Sequence, residues 1–241
     1  MSQIIAMWSG PRNLSTAMMR SFGARPDCSV LDEPFFAPYL AVTGKPHPGR
    51  AETLARHETD PNKVASLCQE AVKDKAYSFQ KHMPHHMLPG FAMEWAEEAK
   101  HFFLIRDPKR VIASYAKGRE KFDLADLGFS AQRQFFDRLA QQTGQTPVVI
   151  DSLDILRSPK DALLALCDAL HIPLKKEMLQ WDPGGRPEDG AWAPYWYKSV
   201  QNSTTFSAPN LSPVELSAEC SGFLAKCQKD FKYLSDYKID Y

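Results

Sequence analysis

Ile4-Ile5-Ala6-Met7-Trp8, Ser9-Gly10-Pro11-Arg12-Asn13-Leu14-Ser15-Thr16 and Ala17-Met18-Met19-Arg20-Ser21-Phe22 form one continuous stretch, and the fold of the chain is read from it. The first block is an apolar run of strand length, the second a turn of small and polar residues, and the third has helical composition and spacing. A loop that leaves a strand and enters a helix aims several backbone N–H groups, and the positive end of the helix dipole, at one spot that suits a phosphate. Gly10 lets the backbone approach such a ligand. Arg12 offers a fixed charge on a planar fork, and Ser15 and Thr16 add hydroxyls from the first helical turn. The bland alternative is a strand-loop-helix turn with a solvated arginine.

The usual ATP and GTP loop, G-x-x-x-x-G-K-[ST], is not met. Counted from Gly10, its second glycine falls on Ser15, its lysine on Thr16 and its magnesium-binding hydroxyl on Ala17. The 29 basic and 29 acidic residues give a formal charge of zero, so no global field gathers nucleic acid or an anionic membrane, and any anion site must be local. The N-terminus has no signal-peptide pattern and no stretch has the apolar length of a membrane span, so a cytoplasmic protein is expected. Cys28, Cys68, Cys167, Cys220 and Cys227 are odd in number and lack a C-x-x-C pair, which predicts neither a disulfide framework nor a zinc site.

Downstream the strand-helix alternation repeats. Strands are expected over residues 28–32, 76–81, 101–105 and 147–150, each a short run rich in apolar side chains. A helix is expected from residue 61 to about 75, with Asp60 as N-cap and Val64, Leu67, Cys68 and Val72 at helical spacing. Others follow to about residue 100, over 109–117, near 129–142, after Ser158-Pro159, and over about 212–232. Residues 37–60, rich in Pro, Gly and His, read as an irregular excursion. Continuous apolar strands separated by helices imply an α/β fold whose parallel sheet is covered on both faces, with five β/α units. Ligands of such sheets sit at the carboxyl ends of the strands, where this chain places Arg12, Glu33, Lys81 with His82, and Arg106.

Pro11-Arg12-Asn13-Leu14-Ser15-Thr16 resembles the 5′-phosphosulfate loop of sulfotransferases that use 3′-phosphoadenosine 5′-phosphosulfate (PAPS); bacterial members often read P-R-S-G-[ST]-T, so Leu14 stands where glycine is usual. Arg106-Asp107-Pro108 followed by Ser114-Tyr115 is similar to the same family's 3′-phosphate motif. The spacing has a physical sense: Ser114 lies about two turns into the helix at ~1.5 Å per residue, so it and Arg106 can meet one phosphate. Gln80-Lys81-His82-Met83-Pro84 is similar to the family's K-T-H-x-P, with Gln80 in the lysine's place, and residues 151–160 with His171-Ile172-Pro173 resemble its Y-E-D-L…f-L-G-[IV]-P sequence.

The resemblance implies a P-loop NTPase-like three-layer sandwich with a central five-stranded parallel sheet. It implies one sulfotransferase-like domain over residues 1–241, with a core (1–173) and a helical, aromatic-rich C-terminal cap (174–241). The implied activity moves a sulfuryl group from PAPS, leaving 3′,5′-diphosphoadenosine (PAP), to a hydroxyl or amine of a small-molecule acceptor, without a metal. Gly10, Pro11, Arg12, Asn13, Leu14, Ser15 and Thr16 would hold the 5′ end of the donor, with Arg12 stabilising the leaving phosphate, and Arg106 with Ser114 would hold the 3′-phosphate. His82 is the expected base and Glu33 the acceptor-binding carboxylate. The reverse stays open, because Asp32-Glu33-Pro34-Phe35 resembles bacterial carbohydrate sulfotransferases with a glutamate base.

Arg186 or Lys198, in the aromatic segment 181–206, would reach the 3′-phosphate, unless that segment only packs on the core. His82, His85 and His86 also spell a weak metal pattern without a completing carboxylate or cysteine. A homodimer is compatible with the sequence; nucleic-acid and membrane partners are not expected. The rival functions are an ATP-dependent small-molecule kinase and a non-catalytic nucleotide-binding protein.

Overall fold

Five strands, β1 (Gln3–Ser9), β2 (Cys28–Asp32), β3 (Tyr77–His82), β4 (Lys100–Ile105) and β5 (Val148–Asp151), pair in parallel in the order β2-β3-β1-β4-β5 in a computed structural model that describes residues 2–71, 75–119 and 121–240. Residues 4–8 are buried on both faces of the sheet, as expected of a central parallel strand. Register puts Trp8 beside His82 on one flank and beside Phe103 on the other.

The helices are α1 (Ser15–Gly23), α2 (Phe36–Thr43), α3 (Arg50–Arg56), α4 (Pro61–Glu70), α5 (Pro108–Ala116), α6 (Phe129–Thr143), α7 (Ser152–Arg157), α8 (Pro159–Ala169), the short α9 (Ala193–Trp196) and α10 (Lys198–Gln201), and α11 (Ala218–Ser235). Alternation along β1 divides them into two layers. Ile5 and Met7 pack with Met18, Met19 and Phe22 of α1 and Leu163, Leu166 and Cys167 of α8. Ile4, Ala6 and Trp8 pack with Val64 and Cys68 of α4, Phe135, Phe136 and Leu139 of α6, and Leu234 of α11. The result is the expected three-layer α/β sandwich around a five-stranded parallel sheet.

Sequence expectation and structure part company where proline and glycine act in unexpected ways. Residues 37–60 are not wholly irregular. Pro38 lies in the first turn of α2, where its missing N–H costs nothing, and Gly44 ends that helix in a left-handed conformation. The helix expected up to residue 100 is absent: Pro89-Gly90, with Gly90 at φ 90°, leaves only 3₁₀ turns at Pro84–His86 and Glu94–Ala96. α4 closes at Glu70, and Val72 lies outside the described residues. α11 starts at Ala218 because Ser217, whose hydroxyl accepts from the Cys220 N–H, is its cap. Beyond α11 the chain returns to the sheet edge, where the Ile239 N–H donates to the Val149 carbonyl.

The order β3-β1-β4 is what positions a site. The chain leaves β1 for β2 and β3 on one side and reaches β4 and β5 on the other, so a crevice opens at the carboxyl end of β1. The loops after β1 and β4 are neighbours there. At the second loop Asp107 caps α5, accepting from the Arg110 N–H at 3.0 Å, while Pro108 takes the first helical position. Asp107→Ala is expected to lower stability by about 1 kcal/mol, the usual loss of an N-cap. Urea unfolding checks it, with a lower midpoint at unchanged slope as the expected outcome.

Candidate active site

The loop after β1 is held in an unusual shape by its neighbours. Arg12 and Leu14 have φ of 62° and 73°, in the left-handed region that only glycine adopts without a steric cost. The Asn13 amide donates to the Leu104 carbonyl, and the Gln132 amide donates to the carbonyls of both Trp8 and Leu104, tying the loop to β4 and α6. Gly10 serves the same end: a Cβ there would come 3.1 Å from the Leu127 carbonyl oxygen. Gly10 and Asn13 therefore shape the loop and stand outside the cavity, whereas Pro11, Arg12, Leu14, Ser15 and Thr16 line it.

Two arginines meet over this loop. Arg12 Nε donates to Ser114 Oγ at 3.0 Å, and Arg106 Nη1 donates to the Arg12 carbonyl at 2.6 Å. Burial lowers the pKa of both guanidinium groups, and for Arg106 the charge of Arg12 adds to it. No ion pair of either is present among the described residues. Two half-buried like charges beside hydroxyls, with no carboxylate in ion-pair contact and only the longer-range pull of Asp107 and Asp151 on Arg106, suit an anion.

The other end of the crevice is built on a buried ammonium. Lys81 Nζ spends its three N–H groups on Asp32 Oδ1 at 2.8 Å, on the Tyr197 hydroxyl oxygen at 2.7 Å, and on Glu33 Oε1. The Tyr197 hydroxyl in turn donates to Asp32 and accepts from Trp192 Nε1, while Asp32 Oδ2 accepts the Gly190 N–H. Neighbouring residues of a strand point to opposite faces, so two adjacent carboxylates should not reach one lysine. They do because Glu33, with φ 43°, breaks the alternation just past the end of β2. Burial alone would lower the Lys81 pKa, but Asp32, Glu33 and Tyr197 together hold it well above the ordinary value. Burial raises the Glu33 carboxyl, against the opposing pull of Lys81.

His82, the expected base, is not part of this arrangement. One residue beyond Lys81 on β3, it faces the opposite layer: its ring stacks on Trp8 at 4.6 Å and lies 4.7 Å from Trp95, and it does not line the cavity. Burial pushes its pKa well below the ordinary value. Instead His85 and His86, from the 3₁₀ turn, face the crevice, and burial lowers both, His85 to about 4. His86 Nδ1 lies 3.9 Å from Glu33 Oε2. Arg186 and Lys198 do not line the crevice either; Arg186 is engaged with the carbonyls of Gly185 and Asp182. The C-terminal segment contributes Ser203, Thr205, Ser207 and Asn210 to the wall in their place.

The cavity measures about 520 Å³ and is lined by Arg12, Arg106 and Ser114, which cluster around the loop after β1, and by Glu33, Lys81 and His86, which cluster around the buried ammonium. Sequence reading placed Lys81 at a strand's carboxyl end and His86 in a weak metal pattern but gave neither a role in this site, and it singled out neither Asp32 nor Tyr197. The Asp-Glu pair and the charged residue inside an otherwise apolar strand were the available signals. Nothing local announced Tyr197, 116 positions from its partner.

Among known proteins, the sequence model of the sulfotransferase domain matches residues 2–220. Two curated relatives from Arabidopsis thaliana, branched-chain-amino-acid aminotransferase-like proteins 2 and 1, are 39% and 40% identical over 211 residues, 88% of this chain. The chain spans only 37% and 38% of their lengths. Similar folds include the sulfotransferase domain of the curacin biosynthetic pathway (TM-score 0.55, 16% identity, 95% of this chain and 98% of that one). A sulfotransferase from Alicyclobacillus acidocaldarius (0.56, 13%, 99% and 98%) and a mouse sulfotransferase complexed with PAP (0.50, 10%, 98% and 88%) have it too. With that match over nearly its whole length, the chain belongs to the sulfotransferase domain family.

Proposed function

We propose that this protein transfers a sulfuryl group from PAPS to a small-molecule acceptor, with Glu33 as the base. The observation that carries the reading is one cavity lined both by two arginines without an ion-pair partner and by a carboxylate that Lys81 holds. A nucleotide with phosphates at both its 3′ and 5′ positions fits the arginine end by charge and by donor chemistry, and the mouse protein of similar fold was solved with PAP. Arg12, Ser15 and Thr16 hold the 5′-phosphate and stabilise the charge it gains on leaving. Arg106 and Ser114 hold the 3′-phosphate, and Lys81 fixes one oxygen of Glu33 so that the other faces the acceptor. A cytosolic setting is part of this reading, supported by five cysteines that are buried and free.

Arg106 also braces the loop through the Arg12 carbonyl, so its loss touches both ends of the nucleotide. Arg106→Ala is expected to weaken PAP binding about tenfold more than 5′-AMP binding, as one lost charge-assisted hydrogen bond implies. Calorimetry with both nucleotides measures it; equal losses would assign Arg106 to bracing alone.

A base must be deprotonated to act, so turnover should fall as pH drops through the raised pKa of Glu33, with the limb above the ordinary carboxylate range. Glu33→Gln should remove that limb and lower kcat by roughly 10²–10⁴ with PAP affinity kept. A larger loss from His82→Gln than from Glu33→Gln would return the base role to His82.

A further inference from the structure

Gln132, in the first turn of α6, is 1% exposed and does not line the cavity, yet it is bonded to both strands that lead to the paired arginines. Its Nε2 donates to the Trp8 carbonyl of β1 at 3.1 Å and to the Leu104 carbonyl of β4 at 2.9 Å. Both partners are acceptors, so only the NH2 end of the amide can face them, and its two hydrogens are spent one on each strand.

The amide spans the place where the two strands part. Ser9 opposite Leu104 is their last paired position. Arg12 follows Trp8 by four residues, and Arg106 follows Leu104 by two. Gln132 thus fixes the separation of the two chains just before each turns toward its arginine. The same turn of α6 is the bed of the loop after β1. A Cβ on Gly128, which caps α6 at φ 75°, would lie 3.5 Å from Gly10 Cα and 3.4 Å from Pro11 Cδ, and the Gln132 backbone N–H donates to the Gly128 carbonyl at 2.8 Å. The Leu104 carbonyl also accepts from the Asn13 amide at 3.1 Å, so β4, α6 and the loop meet at one oxygen.

We propose that Gln132 is a positioning residue that sets the span between two phosphate subsites, one at Arg12 and one at Arg106, and through it the preference for a nucleotide with phosphate at both its 3′ and 5′ positions. The inference rests on PAPS and PAP as the nucleotides of the arginine cluster. A ligand with two charged ends gains from its second contact only when the subsites stand at its own span. A nucleotide with one phosphate settles at one subsite and does not sense the distance to the other. No other side chain does the same work here: Asn is one methylene too short, Met and ionised Glu have no hydrogen for either carbonyl, and Lys or Arg would bury an unpaired charge.

The test is calorimetry with PAP, 5′-AMP and 3′-AMP on the full chain, comparing wild type with Gln132→Met and Gln132→Glu. Wild type is expected to bind PAP well above either monophosphate. Gln132→Met nearly keeps the volume and loses both hydrogen bonds; it should weaken PAP about tenfold and leave 5′-AMP and 3′-AMP within about twofold. Gln132→Glu keeps the shape and should behave alike. Loss of Arg106 would instead weaken 3′-AMP along with PAP, so the expected pattern belongs to spacing and not to a missing phosphate contact. PAP affinity unchanged in both variants, or an equal loss for all three nucleotides, overturns the proposal. So does a failure of both variants to unfold cooperatively in urea, which would assign Gln132 to the fold alone. Wild type that binds PAP no better than the monophosphates has no paired subsites, and that result overturns the donor reading and this inference with it.

Discussion

A single buried ammonium organises the catalytic end of this protein. Lys81 is 1% exposed and is shared among Asp32, Glu33 and the Tyr197 hydroxyl, so it joins the ends of β2 and β3 to a segment more than a hundred residues later. Taking three charges out of water is costly, and their mutual attraction repays it only if every donor and acceptor is used. Here they nearly all are: three N–H groups of Lys81, both oxygens of Asp32, and the hydroxyl of Tyr197 as both donor and acceptor. The atom left over is Glu33 Oε2, the one that faces the cavity. On the proposed reading, that oxygen is the one left to take a proton.

Backbone strain gathers at the same place. Of the four non-glycine residues with positive φ among the described residues, Arg12, Leu14 and Glu33 lie in the site, and each turns its segment where a relaxed backbone would not. The fourth, His171, closes α8, where a left-handed residue lets the Ile172 N–H reach the Cys167 carbonyl. Leu14 and His171 stand at positions where the resembled motifs carry glycine, and the φ values explain why glycine is usual there. The strain is borne because hydrogen bonds from Asn13, Gln132 and Lys81 over-determine the surrounding loops.

The sheet and the arginine half of the site were legible because their signals are local. Apolar runs mark the strands, and Arg12 and Arg106 each follow one directly, so strand order alone brings them together. The acceptor half was not. Lys81 and His82 are adjacent and both polar, and only the pleat decides which faces the crevice; a motif resemblance pointed to His82, which the pleat turns to the opposite layer. Glu33 and Asp32 reach one partner through a positive φ that no sequence pattern announces, and Tyr197 arrives by tertiary folding. His86 owes its place in the cavity wall to the rings of Phe36 and Tyr39, from a segment that reads as irregular.

The account stands on Lys81 as the charge that holds two carboxylates at one strand edge, and equilibrium unfolding of Lys81→Met probes it most directly. Removing one member of a buried ionic cluster strands the others, which predicts a loss of about 3–5 kcal/mol. A loss under about 1 kcal/mol, the range of an exposed ion pair, would contradict it.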